Sequence, residues 1–248
     1  VYIDQTIAPG WHTYWKNPGD SGVPTTVTWD LPPGVTAGDL AYPTPSRIPF
    51  GPMTNFGYQD RAVFTSTLTV PPHFAGDTLT ATAKIDWLVC HDICIPEHQT
   101  ETVTVKVGQK TESNPDSAPL ADMVAKTHPV LVEWNATFSE QNGKFDITAT
   151  SDHPDLIYTS DAGLDLSKAV FFPTEWGLID NSAPQEMQYD GAEDLKHLPF
   201  VISAKRGDRA LADVKDFRAV LAIPDKNGVV HGFDMPVRRE GIGTQSET

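Results

Sequence analysis

The sequence predicts an all-β protein: two β-sandwich domains joined by a short linker that carries one short helix. Three observations carry this prediction. Several stretches alternate apolar and polar residues with a period of two, Pro and Gly separate them, and two Asn-Gly pairs lie between apolar runs. At 248 residues the chain is long for one β-domain and sufficient for two, each with its own core.

The elements follow in order. The opening Val1-Tyr-Ile-Asp reads as a strand without an initiator Met, so the chain is expected to be a mature or excised piece of a longer protein. Residues 25–31, 62–70, 78–87 and 101–107 all alternate. In 78–87, Leu79, Ala81, Ala83, Ile85 and Trp87 share one face, as in a half-buried strand. Pro-Pro dipeptides at 32–33 and 71–72 break the runs. The first domain is therefore assigned to 1–108, and Trp29 and Trp87 to its core. Residues 109–119 are a linker by composition. A second domain is assigned to 120–240, beginning with a helix over 120–126. Its hairpins turn at Asn142-Gly143 and Asn227-Gly228, and Trp134, Phe171, Phe172 and Trp176 are expected inside. Residues 241–248 read as a polar tail or cut linker.

Charge excludes several function classes. The chain has 18 Lys and Arg against 33 Asp and Glu, a net charge of -15 with no basic cluster. That argues against nucleic acid and against anionic membrane surfaces. No apolar run approaches the roughly 18–20 residues needed to span a bilayer. The second domain shows no nucleophile motif, phosphate loop or spaced His/carboxylate cluster.

The chemistry concentrates in the only two cysteines, Cys90 and Cys94, within Trp87-Leu-Val-Cys-His-Asp-Ile-Cys-Ile-Pro-Glu97. Four readings are open. A structural disulfide closing so small a loop contributes only about 2 kcal/mol on the chain-entropy formula, against roughly 4–5 kcal/mol for a loop of 100 residues. A metal site would draw Cys90 and Cys94, with His91 and His98, around copper(I) or zinc, but the spacing matches no closed zinc pattern. Two unrelated thiols would not be spaced this closely. A redox pair needs an exposed sulfur and a nearby resolving sulfur. Cα atoms four apart on a strand lie about 13 Å apart, whereas a disulfide needs about 4.4–6.8 Å. The chain must therefore turn between them. Alternation also breaks at 87–90, which suggests a bulge or sharp turn there.

These residues resemble the active-site segment of the periplasmic N-terminal domain of the DsbD family of thiol:disulfide interchange proteins. They are closer to its ScsB branch, the suppressor of copper sensitivity proteins. Segments 7–22, with Ile7-Ala-Pro-Gly-Trp-His-Thr-Tyr-Trp-Lys-Asn-Pro-Gly19, and 42–51, with Tyr42-Pro-Thr-Pro-Ser-Arg-Ile-Pro-Phe-Gly51, extend the resemblance over most of 1–108. The resemblance implies immunoglobulin-like domains in a periplasmic part of an inner-membrane protein. It implies electrons arriving from a thioredoxin-like domain of the same full-length protein and leaving to periplasmic thioredoxin-fold partners. No cofactor beyond the redox disulfide is expected. Cys94 is implied as the sulfur that forms mixed disulfides, with Cys90 resolving. A cap loop is implied at 53–60, with Phe56 or Tyr58 shielding the pair. Tyr14, His12 and His91 are expected to line the site. Three residues between the cysteines are fewer than in DsbD itself, and Asn55 and Asp60 do not reproduce that protein's acidic cap pair. The alternatives are a copper-handling module using Cys90 and Cys94, or a non-enzymatic interaction domain with a structural disulfide.

Overall fold

A computed structural model of the chain describes residues 1–108, 114–151, 163–189, 200–212 and 214–240. Part of the expected linker (109–113) and the expected tail (241–248) lie outside the described residues. Packing divides the chain into two compact units: Val1–Ile48 with Asn55–His128, and Pro49–Thr54 with Pro129–Thr248. The chain is all-β, as expected.

The first unit is assembled from small antiparallel sheets. β1 (Tyr2–Thr6) pairs with β7 (Arg61–Thr65), and β4 (Thr36–Ala37) with β8 (Leu68–Thr69). β2 (Thr13–Gly19), β6 (Met53–Tyr58) and β5 (Ser46–Phe50) form another sheet, in that spatial order. β3 (Thr26–Asp30), β9 (Thr78–Cys90) and β10 (Cys94–Lys106) form the sheet that carries the cysteines, with β10 at its edge. Leu79, Ala81, Ala83 and Ile85 of β9 are buried on one face, which realises the predicted alternation.

The long β9–β10 hairpin keeps one unbroken register, from Thr78 opposite Lys106 to Cys90 opposite Cys94. The bulge expected at 87–90 is absent. Alternation fades there because the strand's second face is also covered: Cys90 is buried and pairs with His12, while Leu88 and Val89 are half-buried. Farther down the hairpin, exposed cross-strand hydroxyls meet in the pairs Thr80–Thr104 at 3.3 Å and Thr82–Thr102 at 3.0 Å.

Aromatic side chains fill this unit's interior. Tyr14, Trp15, Phe56 and Phe64 are fully buried. Trp29 and Trp87, assigned above to the core, are only half-buried. With Ile3 and Ile85 they line an open groove of about 400 Å³. The indole that does serve as core is Trp15.

Helix α1 (Ala118–Thr127) follows a tight turn in which Asn114 Oδ1 accepts from the Asp116 N–H. Its end is tied to the first unit. The Thr44 N–H donates to the Thr127 carbonyl at 2.8 Å, and His128 Nε2 donates to the Val63 carbonyl at 2.7 Å. The helix that opens the second domain in the sequence assignment thus packs with the first unit.

Among the described residues, the second unit pairs eight strands into one mixed sheet. These are β11 (Val130–Leu131), β12 (Trp134–Gln141), β13 (Lys144–Ser151), β14 (Val170–Pro173), β15 (Glu186–Tyr189), β16 (Phe200–Lys205), β17 (Asp216–Pro224) and β18 (Val230–Arg239). The order is β14-β17-β18-β12-β13-β16-β15, with β11 parallel to β18. Asn142 and Gly143 both take positive φ, 53° and 77°, as a two-residue hairpin turn requires. At Asn227-Gly228 only the glycine does, because Asp225 Oδ1 accepts from the Asn227 and Val229 N–H groups and shapes a longer loop. The rings of Phe138 and Phe145 stack at 5.2 Å and those of Trp134 and Phe233 at 5.4 Å in the core. Phe171 and Phe172 are buried as predicted. Trp176 is 63% exposed, because it sits on a turn after β14 where no strand alternation directs it inward. Among the described residues no helix is long and apolar enough to cross a membrane.

Burial lowers the pKa of both His128 and His12 below the usual 6.5. The carbonyl of Val63 opposes the shift at His128, and the nearby His91 adds to it at His12. Such a histidine takes up its proton more readily when the chain is unfolded. The stability contributed by its neutral form is complete above the unfolded value and is lost as pH falls through it toward the folded one. Thermal unfolding should therefore show Tm falling between pH 7 and pH 5. His128→Gln should flatten that fall, and an unchanged pH profile would remove His128 as a contributor.

Candidate functional site

Cys90 and Cys94 end the two long strands and face each other across a three-residue tip, in which the His91 N–H donates to the Ile93 carbonyl at 3.0 Å. Their Cα atoms are 4.1 Å apart and their sulfurs are joined at 2.02 Å. The backbone explains the close approach. The Cys90 N–H and C=O both pair with His12, each at 2.9 Å. In an antiparallel ladder one residue's N–H and C=O point to the same side, so Cys90 has none left for Cys94. Cys90–Cys94 is therefore a narrow, non-hydrogen-bonded pair, the kind with the shorter Cα separation of about 4.5 Å.

The two sulfurs differ in environment. Cys90 is fully buried, whereas Cys94 is exposed on the edge strand. Apolar side chains flank the exposed sulfur: Ile93 is 63% exposed and Ile95 38%. Beside them Trp11, Trp87, Val89 and Ile95 line an open groove of about 240 Å³.

A polar cluster stands behind the disulfide. The Tyr14 hydroxyl lies 4.0 Å from Cys94 Sγ, at the outer limit of an O–H···S contact, and can only donate to it. Burial raises the Tyr14 pKa, and a hydrogen bond with Ser21 opposes the rise. Glycine is required beneath the ring: Gly22 has φ +103°, and a Cβ there would fall 2.1 Å from the Tyr14 ring. On the other strand, a Cβ on Gly57 would fall 1.9 Å from the Thr13 carbonyl oxygen, so only glycine lets β6 approach β2 this closely. His12 packs edge-on to Tyr14, with ring centroids 5.1 Å apart. Asn55, fully buried, links these groups. Its Oδ1 accepts from the Ser21 N–H at 3.1 Å and the Ser21 hydroxyl at 2.9 Å, and its Nδ2 lies 3.2 Å from His12 Nε2.

Of the residues singled out in the sequence, Tyr14 and His12 are brought to the pair. His91 sits at the exposed tip, with Nδ1 3.1 Å from Asp92 Oδ2 and its ring 5.7 Å from Trp11. The expected cap loop is largely strand β6. Tyr58 is committed to the core, where its hydroxyl donates to the Pro43 carbonyl at 2.8 Å and its ring meets Phe64 edge-on. Phe56 is fully buried between Asn55 and Gly57, two residues that contact the site's own strand. His98 pairs with Asp86, four residues along the strand from Cys94, and so does not join the sulfurs. Among the described residues no group of three or more His, Cys, Asp or Glu side chains is placed to hold a metal ion. Sequence reasoning placed Asn55 only in the expected cap loop, not as the link to His12, and did not single out Ser21. The only local signal was the Gly19-Asp-Ser-Gly22 turn, which says nothing about its distant partner.

Comparison with known proteins bears on this geometry. The crystal structure of the N-terminal periplasmic domain of ScsB from Proteus mirabilis aligns with 96% of this chain and 87% of its own, with TM-score 0.56 and 18% identity, which shows a shared fold. A collagen adhesin from S. aureus aligns only at TM-score 0.16 and 10% identity, over 96% of this chain and 92% of its own. No curated protein matches the chain. Residues 1–106 match the family described as thiol:disulfide interchange protein DsbD, N-terminal. Residues 1–106, which hold the disulfide with Tyr14, His12 and Asn55 around it, are thus similar to the N-terminal domain family of the thiol:disulfide interchange protein DsbD.

Proposed function

We propose that this chain is a periplasmic thiol:disulfide oxidoreductase module that relays electrons by disulfide exchange through Cys90 and Cys94. The observation that carries the reading is the asymmetry of the pair: one sulfur is exposed at a hairpin tip and the other is sealed behind it. A donor thiolate can approach only Cys94. It forms a mixed disulfide there, and the electron pair of the broken bond leaves on Cys90. The donor's second thiol then displaces Cys94, so the donor ends as a disulfide and the module as a dithiol. Running the same steps in reverse, reduced Cys94 attacks a partner's disulfide and Cys90 resolves the intermediate. The donor fits a thioredoxin-like domain of the same full-length protein, and the acceptors fit periplasmic thioredoxin-fold proteins. The family match of residues 1–106 and the fold shared with a periplasmic ScsB domain support that assignment. Exposed Ile93 and Ile95, beside the groove floored by Trp87, suit a partner that docks around the tip.

Two experiments test the proposal. Cys90→Ala should trap a stable mixed disulfide with a thioredoxin-fold partner, and Cys94→Ala should trap none. A pair with a reduction potential far below about -300 mV and no trapped complex would instead mark a structural disulfide. The second concerns the shielding that the family resemblance implies for Phe56, which is fully buried next to Asn55. Phe56→Ala should speed alkylation of reduced Cys94 several-fold. Tyr58→Ala should lower stability, because Tyr58 is a core residue, and leave the alkylation rate of the folded protein near wild type. Equal rates for Phe56→Ala and wild type would remove the shield.

A further inference from the structure

Strand β1 has a free edge, and its two ends fix which backbone groups point there. Just before it, the Val1 amine donates to the Ser66 carbonyl and the Ser66 N–H donates to the Val1 carbonyl. Just after it, the Ile7 N–H donates to the Asp60 carbonyl. Both pairs continue the β1–β7 register. An antiparallel ladder alternates bonded and non-bonded pairs, so Ile3 and Gln5 complete the bonded set with β7. Tyr2, Asp4 and Thr6 therefore turn their N–H and C=O groups to the opposite edge, where no strand pairs with β1 among the described residues. That edge borders the groove of about 400 Å³ floored by Trp29, Ile85 and Trp87. All five residues of β1 line it, so the groove follows the strand's edge and not one face. Its far wall is Gln99, Glu101 and Val103 of β10, which stand opposite buried Ile85, Ala83 and Ala81 and so share their face. Gln5, Thr6 and Trp87 also line the groove of about 240 Å³ that reaches Glu97 and Ile95, beside Cys94. No Lys or Arg lines either groove; the charged side chains there are Asp4, Glu97 and Glu101. Asp4 is paired with Arg61, whereas Glu101 accepts from the neutral Gln99 amide.

We propose that the free edge of β1 is a docking site for an extended segment of a partner protein that carries Lys or Arg at alternate positions. The segment adds to β1 as a further strand and bonds the outward N–H and C=O groups of Tyr2, Asp4 and Thr6. Its inward side chains then lie above the inner face of β10. Their aliphatic stems cover the half-buried indoles of Trp29 and Trp87, and their charged heads reach Glu97 and Glu101. Unpaired acids over an aromatic floor favour a cation in this place, and an acidic or purely aliphatic strand would leave those carboxylates without a partner. A second copy of this chain fits poorly. Its β1 carries no cation, and two β1 strands in full antiparallel overlap would set Asp4 of one opposite Asp4 of the other. Docking of this kind uses no sulfur chemistry and is independent of the exchange reaction proposed above.

The test uses the wild-type chain and a capped synthetic peptide, Lys-Thr-Lys-Thr-Lys-Thr, followed by amide NMR. Titration should shift the amides of Tyr2, Asp4 and Thr6 and the indole N–H signals of Trp29 and Trp87. The same peptide with Glu in place of Lys should shift none of them. Alternate N–H groups of a strand point to opposite edges. N-methylation of one set of peptide residues, the Lys or the Thr, should therefore abolish binding, and methylation of the other set should leave affinity within about twofold. Equal affinities for the two methylated peptides would mean general attraction to a chain of net charge -15 and would overturn the proposal. So would shifts that miss β1, or a chain whose sedimentation shows these edges already paired between two copies. Glu97 and Glu101 are both exposed, so Glu97→Gln/Glu101→Gln should fold and weaken the Lys peptide about three- to tenfold; an unchanged affinity would remove the acidic rim from the proposal's support and overturn its choice of partner. Cys90→Ala/Cys94→Ala should bind the peptide as the wild type does. Failure of Cys90→Ala to trap a mixed disulfide would therefore sink the oxidoreductase reading and leave the docking result standing.

Discussion

Everything at the candidate site follows from where Cys90 directs its backbone. Its one N–H and one C=O go to His12, and that commitment leaves the opposite side of the residue without ladder bonds. The strands draw together there, and a disulfide closes a gap that the hairpin has already narrowed. The same pairing draws β2 over the Cys90 sulfur and leaves Cys94 on the open edge. A single pair of backbone hydrogen bonds thus accounts for both the narrow gap that the bridge closes and which sulfur is left exposed.

The surrounding residues hold β2 in that position. Its register shifts between Tyr14 and Gly19, and Asn17 Oδ1 caps the irregular stretch by accepting from the Gly19 N–H. Gly57 admits the Thr13 backbone and Gly22 admits the Tyr14 ring, each at a distance where any side chain would collide. Ser21 follows the bulge and turns back to Asn55. The irregular stretch therefore brings the Ser21 N–H back as a donor to the buried Asn55 amide.

Much of the scaffold was legible in the sequence because its signals are local. The period of β9, the hairpin at Asn142-Gly143 and the spacing of the cysteines each depend on neighbours a few residues away. What sequence reasoning missed depends on distant partners. The apolar run at 87–90 looked like a distortion, whereas it records a strand covered on both faces by segments far away in sequence. Trp29 and Trp87 are apolar enough for a core, but the strands over them leave a groove open. Helix α1 follows the linker in sequence but is held by Thr44 and Val63, a preference no local pattern records. Tyr58 and Phe56 looked alike two residues apart in a presumed loop. Pairing of 53–58 into β6 gave them separate surroundings, and the Pro43 carbonyl claimed Tyr58.

The threonine pairs far from the tip have a bearing on the reduced state. A hairpin held only by its disulfide would be free to slide once the bond opened, and a one-residue slip would turn Leu79, Ala81, Ala83 and Ile85 out of the core. The buried face of β9 and the hydroxyl contacts at Thr80–Thr104 and Thr82–Thr102 prevent that slip without help from the sulfurs. The two thiols of a reduced pair therefore remain neighbours. Each meets the other at the high effective concentration of an intramolecular partner, which is what the proposed resolution of a mixed disulfide at Cys94 by Cys90 requires.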